Sequence, residues 1–360
     1  MARKRVIYQS EALFVGATGA ATPTQLERVQ TANYSFEITR QDVNQYGQLA
    51  AIDRIILEQP TVNLDFSYYL NSGKNETSLG FSINTGVGSI NPQAGDKSAI
   101  ADILSGAALA SEGQDEKNYY ILTSPEGTDA NIDTAQATGQ GKVIGIGNGF
   151  LSSYSLETSV GDIPTVSVNA EGLNMRFYTG TANQTLPAVN PEDGSNVAGT
   201  FTLPAPVSGA GFAALRPGDV KLTLNGTNGI TQSDLKIQSA TINFDLARDP
   251  VQKLGSRFAF ARFITFPVTV NMSVDAIIGD IESGNLANVI NDDSAKYNLQ
   301  LKINEPNSQT ENMSFVVRGA KLDSQEFSSS IGDNKSVTLN WSTQIGGPTD
   351  SGNGLFIYSN

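Results

Sequence analysis

The chain has 360 residues, with no cysteine, no histidine, 35 glycines and a formal charge of -13. Without Cys there is no disulfide framework, thiol nucleophile or thiolate metal site. Without His there is no Ser-His-Asp triad, imidazole base or histidine-held zinc. Catalysis would have to rest on paired carboxylates, a perturbed lysine or an oxygen-ligated cation. No carboxylate pair stands out in the sequence, so the chain reads as a non-enzyme with no cofactor and no metal. Charged residues are 16% and hydrophobic ones 39%, which is not the composition of a disordered chain. The acidic excess runs along both halves, which disfavours a nucleic-acid or anionic-membrane binder.

In chain order, the basic cluster Arg3-Lys4-Arg5 is followed by Val6-Ile7-Tyr8 and then polar residues, so no signal-peptide core follows it. A strand is expected within residues 5–15. Tyr34, Phe36 and Ile38 alternate with polar neighbours, as do Val62, Leu64, Phe66 and Tyr68. A period of two places each set on one face of a half-buried sheet. Residues 97–110 predict a helix with Asp96 as N-cap. Asp129, Asn131 and Asp133 have the first spacings of a calcium loop, but Thr134 stands where glycine is required and Gln140 where the bidentate Glu belongs. Gly145-Ile-Gly147-Asn-Gly149-Phe150 is half a dinucleotide fingerprint; the residues after it are strand-like, so it reads as a turn or bulge in a sheet. Gly161-Asp162 predicts a hairpin turn before the strand carrying Val166 and Val168.

Residues 179–216 are rich in Gly, Pro and Asn and read as a linker with at most one extended segment. Pro217-Gly218 opens a strand over 219–224. The alternation returns in Ile242, Phe244 and Leu246, then in Val270, Met272 and Val274. A second helix is expected near residues 281–290, ended by Asn291-Asp292-Asp293. Gly332-Asp333 predicts another hairpin turn before Val337, Leu339 and Trp341. No membrane span is expected, because the apolar run at 257–272 is broken by Arg262 and Pro267.

The second half repeats the first. Residues 29–66 align without a gap on residues 237–274, an offset of 208, with 12 of 38 positions identical, where ordinary composition would give roughly two or three. The identities include Phe36/Phe244, Arg40/Arg248, Gly47/Gly255, Arg54/Arg262 and Asn63/Asn271. A second block, residues 151–169, matches 322–340 at an offset of 171, through Ser153/Ser324, Gly161/Gly332 and Asn169/Asn340. Two blocks in the same order indicate a tandem duplication of one β-rich unit with a short helix between its strand blocks. The fall in offset leaves the first copy 37 residues longer between its blocks.

The repeated arginines bracket a polar segment in each copy. In the first copy Arg40 and Arg54 enclose Asp42, Asn44, Tyr46 and Gln48. In the second, Arg248 and Arg262 enclose Asp249, Lys253 and Arg257. Such arginines either shield sheet edges or pair bidentately with carboxylates of a neighbouring subunit.

These blocks resemble bacteriophage tail tube (major tail) proteins. The likeness is carried by Ala32-Asn33-Tyr34-Ser35-Phe36, by the segment from Arg40 to Ala50, by Pro60-Thr-Val-Asn-Leu-Asp-Phe66 and by Leu151-Ser-Ser-Tyr-Ser-Leu156 together with Ser159-Val-Gly-Asp-Ile-Pro164. It covers most of the chain but not residues 179–216 or the extra segment of the first copy. It implies an all-β to α+β fold of two tandem β-sandwich units, at 1–178 and 217–360, each with one short helix. It implies a virion structural subunit, assembled in the host cytoplasm. Its rings would stack into a channel for DNA ejection, with inner strands joined in a continuous barrel. The Arg-bracketed loops would contact the next subunit or ring. With two units per chain, three chains complete a pseudo-sixfold ring. The implied partners are the chain itself and other tail proteins: terminator, tape measure, baseplate or tip. DNA would pass without specific binding, and an acidic lumen would spare it phosphate contacts. The alternative is another virion or surface β-sandwich, a tail tip component or adhesin-like module, which would bind glycan or receptor through exposed aromatics.

Overall fold

The computed structural model describes residues 11–56, 60–70, 72–104, 115–124, 130, 141–206, 217–225, 235–256, 258–278, 296–305, 308, 310–328 and 334–360. The expected helix at 281–290, residues 105–110 of the helix expected at 97–110, residues 5–10 of the first expected strand, the Gly332-Asp333 turn, Arg257 and nearly all of the calcium-like loop lie outside them.

The structure is dominated by strands. The first half contains β1 (Glu11–Ala17), β2 (Thr24–Gln25), β3 (Val29–Glu37), β4 (Arg40–Val43), β5 (Asp53–Ile56), β6 (Thr61–Tyr69), helix α1 (Lys74–Leu79), β7 (Ile83–Thr85), helix α2 (Ala101–Leu104), β8 (Lys117–Thr123), β9 (Lys142–Ser159), β10 (Thr165–Gly172) and β11 (Asn174–Tyr178). The short β12 (Gln184–Thr185) and β13 (Thr200–Phe201) come next. The second half contains β14 (Val220–Asn225), β15 (Leu235–Asp245), β16 (Arg248–Val251), β17 (Ala261–Ile264), β18 (Thr269–Ile278), β19 (Tyr297–Asn304), β20 (Glu311–Ser328), β21 (Ser336–Gln344) and β22 (Gly354–Ser359).

The strand pairings of the two halves correspond. β9 pairs through its N-terminal part with β8 and β11, and through its C-terminal part with β10. β20 likewise pairs with β19 and β22, then with β21. The ladder slips by one residue between Asn169 and Ala170, and again between Leu322 and Ser324 opposite Trp341 and Asn340. Those positions match at the offset of 171, so even the bulge recurs.

The two halves share one sheet. Eight strands run in the antiparallel order β3-β6-β10-β9-β15-β18-β21-β20, and the junction between halves is the β9–β15 ladder, with Asn243 opposite Ser155 and Phe244 opposite Tyr154. The alternation read from sequence sets the two faces. Leu64, Phe66, Val168, Leu156, Ile242, Met272 and Leu339 point into one continuous core that runs across the junction. Burying such side chains supplies about 1.5–3 kcal/mol each. The other face is polar.

Three local expectations change. The segment at 179–206 packs on the first half: Leu186, Phe201 and Leu203 are buried with Phe14, Tyr120 and Tyr178. Gly147 permits that packing, since a Cβ there would lie 2.4 Å from the Pro187 backbone. Its glycine-rich stretch is sheet, interrupted by a slip opposite Lys117 and Tyr119, as expected. Asp96 caps no helix. Helix α2 begins only at Ala101, and the Asp96 carboxylate instead accepts from the buried Arg318 guanidinium at 2.8 Å. Helix α1 has no counterpart in the sequence pattern; it is six residues long, between two glycines in left-handed conformation.

Candidate functional site

Both Arg-bracketed segments form hairpins of one geometry. β4 pairs with β5, placing Asp42 opposite Arg54, and β16 pairs with β17, placing Pro250 opposite Arg262. The tips turn on Gly47 and Gly255, with φ of 87° and 90°. The tip bonds match as well: Gln48 N–H donates to the Gln45 carbonyl and Ser256 N–H to the Lys253 carbonyl, both at 3.3 Å.

Their surroundings differ. The second hairpin closes on the first half of its own chain. Arg248 Nη1 lies 2.6 Å from Asp115 Oδ2, with both side chains largely buried. Arg262 Nη1 lies 3.3 Å from Glu171 Oε2. The two guanidinium groups stand 4.8 and 5.7 Å from the centre of the Phe150 ring, within cation–π range. Lys253 pairs with Glu192, and Phe258 N–H donates to the Pro191 carbonyl at 3.1 Å. Arg248, Lys253 and Arg262 therefore make their contacts within the chain, while Asp249 is exposed.

The first hairpin stands clear of the rest of the described chain. Arg40, Asp42, Asn44, Tyr46, Gln48 and Arg54 are all exposed. Arg54 Nε turns back on Asp42 Oδ1 at 2.6 Å. Pro250 occupies the position of Asp42 in the second hairpin, so Arg262 has no carboxylate directly opposite it and takes Glu171. Tyr46 and its counterpart Leu254 are both fully exposed at the tips.

The polar face of the eight-strand sheet is built from Ser, Thr and Asn, with carboxylates from Glu37, Asp65, Glu157, Glu171, Asp245, Asp275 and Glu326. Along these ladders Lys236 and Lys321 are the lysines on the same face. Its side chains bond one another: Asp275 accepts from Ser239 at 2.7 Å, and Asn340 donates to Ser324 at 2.8 Å. Sequence reasoning missed the cradle of Asp115, Phe150 and Glu171, because nothing in their spacing ties them to the hairpin. It also placed Phe36 among the apolar residues of a half-buried face and did not single out Phe327, whereas both are exposed. The signal for them was in the alignment, where they match Phe244 and Leu156.

Among the described residues no cluster of Asp and Glu could hold a metal ion, and no helix is long and apolar enough to cross a membrane. No protein-family model and no curated protein matches this chain.

Proposed function

We propose that the protein is a structural subunit of a phage tail tube, made of two tandem β-sandwich units whose rings stack into a channel for DNA. The observation that carries this reading is the polar face of the shared sheet. It spans both halves, is backed by the core, and holds seven carboxylates, of which Glu171 is paired with Arg262, against two lysines. A duplex sliding over such a wall meets hydroxyls, amides and like charge rather than cations that grip phosphate. Each chain brings eight strands to that sheet. Three chains would bring roughly twenty-four, and at a spacing of about 4.8 Å and a tilt of about 40° they would close at a backbone diameter of about 48 Å. Such a barrel leaves room for a double helix inside.

The reading predicts rings of threefold order with a sixfold outline in electron micrographs of the purified protein, and stacks of them at high concentration. A particle that stays monomeric over a wide concentration range overturns it.

A further inference from the structure

The shared sheet ends on two edges, β3 and the C-terminal part of β20. β3 pairs only with β6, and residues 324–328 of β20 pair only with β21, among the described residues. These two strands are the counterparts of β15 and β9, which are joined in the middle of the sheet. At the inner junction Ile242 and Phe244 of β15 and Tyr154 and Leu156 of β9 are at most 1% exposed. At the outer edges Phe36, the counterpart of Phe244, is 59% exposed, and Phe327, the counterpart of Leu156, is 51% exposed. An open edge carrying apolar side chains is a template for another strand.

Two clefts differ in the same way. Beside β15, a cleft lined by Leu222, Ile237 and Leu301 is closed by Thr158–Val160 of β9 and its turn, and holds about 100 Å³. Thr158 Oγ1 donates to the Ala240 carbonyl at 3.1 Å, and Val160 N–H to the Gln238 carbonyl at 2.9 Å. The matching cleft beside β3, lined by Leu13, Val29 and Ile121, holds about 300 Å³, with no strand from the other half against it among the described residues.

We infer that β3 of one chain pairs antiparallel with residues 324–328 of β20 in a second copy of the same chain, in the register of the inner junction: Glu37 opposite Ser324, Ser35 opposite Glu326 and Asn33 opposite Ser328. This rests on the ring reading and specifies its lateral contact. The register puts Tyr34 opposite Phe327 on the core side, with Phe36 beside them, so the exposed rings cover one another. Such a contact is head-to-tail, and repetition around a ring leaves no edge. The two junctions differ in chemistry where the hairpins land. Phe150 and Glu171 face each other at the inner junction. Lys321 and Ser342 hold the matching positions in the second half. The first hairpin thus meets neither the Phe150 ring nor the Glu171 carboxylate there, in keeping with the pairing of Arg54 to its own Asp42.

The absence of native cysteine makes disulfide trapping clean. A chain carrying Ser35→Cys and Glu326→Cys, oxidised after assembly, is expected to run as covalent multimers up to a closed trimer. A chain carrying Ser35→Cys and Gln325→Cys, whose second thiol points to the opposite face, is expected to stay uncrosslinked. Rings in the microscope without the first crosslink, or with equal crosslinking of both pairs, overturn the register and leave the ring reading standing. Monomer mass together with no crosslink overturns both.

Discussion

Glu76 is the residue whose setting is most at odds with its chemistry. Helix α1 buries it completely, where the Tyr68 and Tyr154 hydroxyls donate to its carboxylate at 2.7 and 3.2 Å. Burial pushes its pKa above the ordinary 4.5, and the two phenols pull it back only in part. A raised carboxyl pKa favours the protonated form in the folded state. Its stabilising contribution is therefore present at low pH and lost as pH rises through the folded-state value. Glu116 is raised by burial as well, so the difference between wild type and Glu76→Gln isolates the residue. Denaturant titrations from pH 5 to pH 8 should show the wild type losing stability relative to Glu76→Gln, whose amide oxygen still accepts from both phenols. Glu76→Ala leaves those buried hydroxyls without an acceptor and should cost about 1–3 kcal/mol at either pH. Parallel curves for wild type and Glu76→Gln would show that the carboxyl does not titrate differently on folding.

At the scale of elements, the hairpins show how one sequence pattern takes two roles. Alternation and repeat were legible: the strands carrying Phe36, Phe66, Val168, Phe244 and Leu339 stand where a period of two put them, and both loops are hairpins turning on Gly47 and Gly255. The difference between the loops was not legible, because it depends on Asp115, Phe150 and Glu171, which lie far from Arg248 in sequence. The packed segment after β11 was hidden for a similar reason. Leu186, Phe201 and Leu203 are separated by turns and have no period, yet they fill the space over Tyr120 and Tyr178. The helix expected from residue 97 starts late: the backbone N–H groups of Lys97 and Ala99 donate to Asn84 and Leu355, and Asp96 pairs with Arg318. These environments separate two otherwise equivalent substitutions. Arg248→Glu puts a carboxylate beside Asp115 in a buried setting and should destabilise the chain by about 3–5 kcal/mol. Arg40→Glu changes an exposed side chain and should stay within about 0.5 kcal/mol. Equal losses in chemical denaturation would mean that the first hairpin also packs on its own chain.

At the scale of the whole molecule, the net charge of -13 takes on a direction. In the chain alone the excess was spread and pointed only away from nucleic acid. In the fold, Asp65, Glu157 and Asp275 fall on one face of the shared sheet, opposite the core. If that face lines the lumen, its task is to hold no phosphate, and the task can be undone without touching the core. Replacing Asp65, Glu157 and Asp275 together with lysine leaves every buried side chain in place, and rings should still form. The altered wall should now hold linear duplex DNA, and the logarithm of the binding constant should fall linearly with the logarithm of salt concentration, with a slope of roughly -0.9 per phosphate contacted. Assembled wild-type rings should leave the same DNA unretarded in a gel at low salt. Equal binding by the two proteins would place the acidic face somewhere other than the path of the DNA. Rings of the lysine variant that ignore DNA would do the same, because a lumen wall with so many cations could not be passed without delay.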